Sequence, residues 1–152
     1  MSISLNDAGT LIGIVAGTAA LVLGILNYLR DNIKIAVELQ WDMKPFNLPQ
    51  FDENELIGVI RVTNIGRRTT YVSHVAIKLP KGYDDTHLIM YESLQGKKLS
   101  EGDEPLIFPF NQPGLEQYKK KWKEVRAQIS DSTGTVWYSP RVWRGKPPSW
   151  CE

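Results

Sequence analysis

Between Asp7 and Arg30 the chain carries no charged residue, an unbroken run of 22 positions from Ala8 to Leu29. As a helix rising ~1.5 Å per residue, such a run is about 33 Å long, enough to cross a hydrocarbon core of ~30 Å. No proline interrupts it, the first being Pro45. The pattern predicts an N-terminal transmembrane anchor over residues 1–30. A buried core helix and a cleaved signal peptide are the competing readings. A domain of this size rarely carries so long an uncharged run. Secretory signals open on positive charge, whereas Met1 to Asp7 holds one acid and no basic side chain. Tyr28 and Trp41 are candidates for the headgroup level, where amphipathic rings are favoured.

Beyond Asp31 the period drops to two. Ile33, Ile35, Val37, Leu39 and Trp41 alternate with Lys34, Ala36, Glu38 and Gln40, as in a half-buried strand. Starting so soon after the anchor, this strand should bring its domain against the membrane face. Met43 to Glu55, with Pro45, Pro49 and three acids, reads as a loop. Leu56–Thr63 is a second strand closed by a turn at Asn64-Ile65-Gly66, and Tyr71–Leu79 a third, stopped by Pro80. Leu88–Tyr91 and Leu106–Phe110 are shorter candidates. Leu115–Ile129 satisfies both periods: Leu115, Tyr118, Trp122, Val125 and Ile129 recur at helical spacing, while Val125, Ala127 and Ile129 alternate into Asp131-Ser132-Thr133-Gly134. The preferred reading is a short helix or turn near Leu115–Lys121, then a hairpin of Trp122–Ser130 with Thr135–Ser139.

The fold class expected is therefore mainly β: one transmembrane helix, an antiparallel sandwich of about seven strands over 31–140, and a basic Trp- and Pro-containing tail over 141–152. LIGVIRVTNIG at Leu56–Gly66, YVSHVAIKLP at Tyr71–Pro80 and ISDSTGTVWYSP at Ile129–Pro140 resemble the second and third strands and the terminal hairpin of bacterial immunoglobulin-like domains. The layout is similar to that of small uncharacterised bacterial single-pass membrane proteins. The resemblance implies a sandwich and no particular activity, since this fold hosts adhesion, scaffolding and structural roles.

One face of the anchor is composed of small residues. At about 100° per residue, Gly9, Gly13, Ala16, Gly17, Ala20, Gly24 and Asn27 share a sector roughly 100° wide. Small residues let helix backbones approach closely in lipid, and an interfacial Asn contributes ~1 kcal/mol. The face predicts a homo-oligomer or packing on another membrane protein, against the plain alternative that membrane helices are generally rich in Gly and Ala. Leu11 and the other branched residues of the run would face lipid. Arg30 and Lys34 follow the run while only Asp7 precedes it, which by the positive-inside rule puts the β-domain in the cytoplasm and the N-terminus outside. One cysteine, Cys151, and no Asn-x-Ser/Thr sequon agree with a reducing compartment at the inner membrane.

Eighteen Lys and Arg against 17 Asp and Glu leave a net charge of +1, without the basic excess of a dedicated nucleic-acid binder. The conspicuous cluster is Lys119, Lys120, Lys121 and Lys123 around Trp122, with Arg126 close by. It suits anionic lipid at ~1 kcal/mol per basic residue, or a protein partner, better than nucleic acid. Its plain reading is a solvated edge strand whose lysines discourage aggregation. Arg141, Arg144 and Lys146 form a second basic set in the tail.

Catalytic signals are sparse. His74 lies on the outward face of a predicted strand, and Asp84-Asp85-Thr86-His87 reads as a polar turn rather than a metal site. Glu101, Asp103 and Glu104 surround Gly102 in a loop, and Cys151 lacks an activating neighbour. The sequence contains no nucleophile elbow, phosphate-binding loop or dinucleotide fingerprint. The expectation is a non-catalytic interaction module without metal, cofactor or small-molecule substrate. Its rival is an oligomeric membrane effector that forms a pore or lesion through the small-residue face.

Overall fold

The computed structural model describes residues 5–46, 48–91 and 96–152, with backbone only at 5–8, 11 and 30. The side chains of Asp7, Leu11 and Arg30, used above for flank charge and lipid facing, lie outside the described set, as does Asn47 of the predicted loop. The chain divides into two units, residues 1–32 and 33–152.

The first unit is one helix, α1 (Leu5–Arg30). Within it Ile12–Leu29 has a mean hydropathy of 2.0 and no part buried. By length and composition it is able to cross a membrane, a property it shares with N-terminal signal segments.

The second unit holds eight strands: β1 (Ile35–Met43), β2 (Ile57–Asn64), β3 (Thr70–Lys78), β4 (His87–Ile89), β5 (Lys97–Leu99), β6 (Leu106–Asn111), β7 (Arg126–Asp131) and β8 (Val136–Tyr138). They form two antiparallel sheets. One has the order β1-β2-β6; in the other, β4 and β5 pair with β3, which continues to β7 and β8. The inward residues of both sheets meet in one core that includes Val37, Ile60, Val62, Val75, Ile77, Phe108 and Ile129. Alternation in the sequence thus reports burial directly, because successive strand side chains face opposite ways.

Several expectations are corrected. The eight strands among the described residues are compatible with the expected count of about seven, but β5 was not foreseen, since Lys97 and Lys98 are polar and only Leu99 is buried, against β3. Trp122–Glu124 is not strand. A 3₁₀ segment runs from Glu116 to Glu124, and extended backbone starts at Val125. The turn after β2 lies where expected, at Asn64-Ile65-Gly66. Asn64 ends the strand, and its buried side chain donates to the carbonyls of Arg68 (2.8 Å) and Leu99 (3.1 Å) while accepting from Gly66 N–H (2.9 Å). Trp41 belongs to the β unit, edge-on to Phe110 at 5.7 Å and to Trp150 at 5.4 Å.

The last contact settles the course of the tail. Trp150 is buried, and the Asp42 carboxylate accepts from Ser149 N–H (3.0 Å) and Ser149 Oγ–H (2.6 Å). Asp42 occupies the left-handed region (φ 59°) at an irregularity in the β1–β2 pairing, where the chain turns its carboxylate toward the tail. Cys151 is half-buried, and burial raises its thiol pKa above the ordinary value.

The β7–β8 hairpin is organised by one buried carboxylate. Asp131 accepts from Thr133 N–H (2.9 Å), Thr133 Oγ1–H (2.6 Å), Thr135 N–H (3.0 Å) and Trp137 Nε1–H (3.0 Å), and Gly134 takes the left-handed position (φ 83°). Burial pushes the Asp131 pKa up, but these donors outweigh it and hold the carboxyl below its ordinary value.

Two outcomes are expected. A pKa lowered on folding stabilises the native state above the unfolded value of ~3.9, and that stabilisation is lost as pH falls through the folded value. Asp131→Asn, which sets an NH₂ against the Trp137 N–H, should cost about 1–3 kcal/mol at pH 7. In denaturant titrations it should also flatten the loss of stability on the acid side; an unchanged acid limb would assign that limb to other groups. Gly58 pairs with Phe110, whose ring lies 2.1 Å from where a Cβ would stand. Gly58→Ala should therefore cost about 1–3 kcal/mol in a thermal melt, as overpacking does.

Candidate functional site

The 3₁₀ segment decides where the basic cluster goes. Pro113-Gly114 (φ 99° at Gly114) turns the chain after β6, and Leu115 is buried at the start of the segment. With about three residues per turn, Tyr118 follows Leu115 onto the core and Lys121 would come next. The backbone breaks from helical geometry at Lys121 (φ −126°, ψ 26°), which shifts the inward face by one residue. Trp122 is then half-buried against the core, and Val125 is fully buried. Lys121 swings outward, and its Nζ donates to the Lys81 carbonyl at 2.8 Å.

Lys123 Nζ stands 5.8 Å from the Trp122 ring centroid. Lys119 and Lys120 are exposed, Lys121 holds the Lys81–Gly82 turn, and Trp122 serves packing. None of these residues is on an edge strand. Lys123 and Arg126 are brought together with three cations from distant parts of the chain. Lys78 ends β3, Lys81 follows the buried Leu79-Pro80, and Arg141 follows β8. With Glu124, these residues line an open cleft of about 320 Å³. Five basic residues against one acidic residue give it a charge of +4. Among the described residues, none of the five lies within ion-pair distance of a carboxylate; the ion pair found is Arg61–Glu38 at 3.9 Å, on the other sheet.

The floor of the cleft is preorganised. Lys78 and Arg126 are direct cross-strand partners, an unfavourable like-charge pairing. Both are accommodated by the Tyr138 ring, with Lys78 Nζ and Arg126 Cζ each 4.9 Å from its centroid. Arg126 Nε and Nη2 donate to the Ser139 carbonyl at 2.8 and 2.5 Å, which fixes the guanidinium and leaves Nη1 free of that contact. Beside the cleft, Arg141 also borders a groove of about 420 Å³ with Trp143 and Arg144, and Trp143 is 78% exposed. Lys78 and Lys81 were missed as site residues because nothing in their local sequence marks them, and Arg141 was grouped with the basic tail; strand order joins all three to Lys123 and Arg126.

Other candidates are weaker. His74 is exposed on β3. His87 opens β4 rather than lying in a turn, and its ring nitrogens contact Thr86 Oγ1 (3.1 Å) and Gln128 Oε1 (3.0 Å). Among the described residues, no group of three His, Cys, Asp or Glu side chains is placed to hold a metal ion. A cleft of about 240 Å³ is lined by Gln112 and Trp150. The Gln112 amide and the Trp150 indole N–H have no hydrogen-bond partner among the described residues, but those atoms are shut off from the surface. In α1, a Cβ added at Gly9, Gly13, Gly17 or Gly24 would meet nothing within 4 Å; Ala16 and Ala20 are exposed on the same helix, as is Asn27.

No protein-family model matches the chain, and no curated protein matches it.

The Tyr138 platform makes a prediction. Tyr138→Leu removes both cation–π contacts and leaves Lys78 facing Arg126, so stability should fall by about 1–2 kcal/mol in denaturant titration. Tyr138→Phe should stay within about 0.5 kcal/mol of the parent. Part of the Leu variant's deficit should disappear in ~1 M salt, where charge repulsion is screened. A deficit shared equally by the Phe variant would place the stabilisation in the hydroxyl instead.

Proposed function

We propose that the chain is a membrane-anchored, non-catalytic interaction module that presents an immunoglobulin-like sandwich at the cytoplasmic face of the inner membrane. The observation that carries this reading is the apolar stretch Ile12–Leu29, none of it buried, joined within a few residues to a β unit that begins at Ile33. An exposed apolar surface of that length needs a nonpolar medium or a partner to cover it. The strand order supports the finer fold assignment: β1-β2-β6 with β3-β7-β8 corresponds to the A-B-E and C-F-G pairings of immunoglobulin sandwiches.

The helix self-associates, or packs on another membrane protein, through Gly9, Gly13, Ala16, Gly17, Ala20, Gly24 and Asn27. Four glycines lower helix propensity by about 1 kcal/mol each relative to Ala in water. Among the described residues no contact requires them, whereas close helix approach in lipid does. Tethering then raises the effective concentration of the β unit near membrane partners.

The test uses full-length protein in cells. It should stay in the membrane fraction after alkaline carbonate washing, and in-membrane crosslinking should give oligomers. Gly13→Leu combined with Gly17→Leu should lower the crosslinked yield at least fivefold. Release by carbonate would overturn the anchor, and an unchanged yield would overturn this packing face. Orientation is read with Lys146→Cys in a Cys151→Ser background, since Lys146 is exposed whereas Cys151 is half-buried. An impermeant maleimide should label it only after permeabilisation.

A further inference from the structure

We propose that the cleft formed by Lys78, Lys81, Lys123, Arg126 and Arg141 is a binding site for a ligand carrying two phosphate groups. The proposal rests on reading the β unit as an interaction module and names what that module recognises. Three observations carry it. The cleft gathers five cations from three separate stretches of chain, 78–81, 123–126 and 141, with Glu124 the one acid lining it. None of the five has a carboxylate within ion-pair distance among the described residues, so their charge is not consumed by internal pairing. Lys78 and Arg126 are set opposite each other in register, a repulsion that an anion placed between them relieves.

Charge and shape set the class of ligand. A phosphate monoester carries about −1.5 to −2 near pH 7, so two such groups match a cleft of +4 and one does not. Arg126 is held by two hydrogen bonds to the Ser139 carbonyl, and its remaining N–H groups form part of a fixed donor fork suited to a tetrahedral oxyanion. Lys81, Lys123 and Arg141 are exposed and adjustable at the rim, suited to a second phosphate group. A volume of about 320 Å³ accommodates a small bisphosphate but not a folded macromolecule. The same chemistry is available from a lipid headgroup and from a soluble phosphate compound, and both offer it to a tethered domain.

The experiment uses the full chain in phosphatidylcholine nanodiscs, with inorganic pyrophosphate and inositol 1,4-bisphosphate titrated by calorimetry at fixed ionic strength. Saturable one-to-one binding is expected for at least one probe, weakened at least tenfold by Lys81→Ala combined with Arg141→Ala. Both residues are exposed, so the double variant should keep the parent's melting temperature within a few degrees. Lys119→Ala combined with Lys120→Ala removes the same charge outside the cleft and should change affinity less than twofold.

A second arm measures capture of the nanodisc-held chain by vesicles containing 5% phosphatidylinositol 4-phosphate. Capture that soluble inositol 1,4-bisphosphate displaces only at large excess assigns the ligand to the lipid surface. Tight binding of the soluble probe without vesicle capture assigns it to a soluble compound. Absence of saturable binding in both arms, or equal weakening by the two double variants, overturns the site. The membrane-anchor reading is scored separately by carbonate extraction, so a chain that stays anchored but binds no phosphate sinks this inference alone.

Discussion

The register of β3 against β7 is the constraint on which the rest of the β unit depends. It runs from Val72 opposite Asp131 to Lys78 opposite Arg126, with an irregularity between Val72 and His74. Strand side chains alternate with period two, so a slip of one residue would turn Val75, Ile77 and Ile129 out of the core. β3 also pairs with β4 near its C-terminal end and with β5 near its N-terminal end. Three neighbours therefore read their positions from one strand, and both features of chemical interest lie at the ends of its ladder with β7. At one end the Asp131 carboxylate gathers the hairpin donors. At the other, Lys78 and Arg126 are forced together over Tyr138.

The two ends handle buried or crowded charge differently. Asp131 is 3% exposed, and its carboxylate is met by backbone, hydroxyl and indole donors rather than by a cation. That arrangement stabilises a single hairpin geometry, because the donors come from positions two, four and six residues ahead and are correctly spaced only in this turn. Lys78 and Arg126 have no such enclosure. They stay half-exposed, and an aromatic face with a carbonyl supplies the local negative potential. The first end is satisfied within the chain, while the second lines an open cleft.

Legibility from sequence followed the same division. β1, β2, β3 and β7 were readable because their alternation is the direct imprint of a buried and a solvated face, as in Val75 and Ile77 of β3; Val72 is buried out of that alternation, across the irregularity before His74. β5 was not readable. Leu99 alone carries its burial, and its extended conformation is imposed by pairing with Thr70 to Val72. Trp122 was assigned to a strand because its local sequence satisfies two periods at once; tertiary packing of Leu115 and Tyr118 selected the 3₁₀ geometry. For the site, the charge run around Trp122 was visible, yet only Lys123 and Arg126 of it line the cleft. Lys78, Lys81 and Arg141 lie up to 63 positions apart in sequence and become neighbours through strand order.

The charge distribution gives this arrangement its physical weight. The whole chain carries +1, so a cleft of +4 leaves the remaining residues at −3. A basic domain would attract any polyanion over its whole surface. Here the positive charge is concentrated in the cleft and the rest of the chain is net acidic, which disfavours extended polymers that must lie along a broad face. The Tyr138 platform and the Ser139 carbonyl keep Lys78 and Arg126 in place before any anion arrives, so little ordering is required on binding. Preorganisation is the feature that separates this cleft from Lys119 and Lys120, which carry the same charge on freely solvated side chains. Concentrated charge, fixed donors and limited volume together make the cleft selective for small, multiply charged anions.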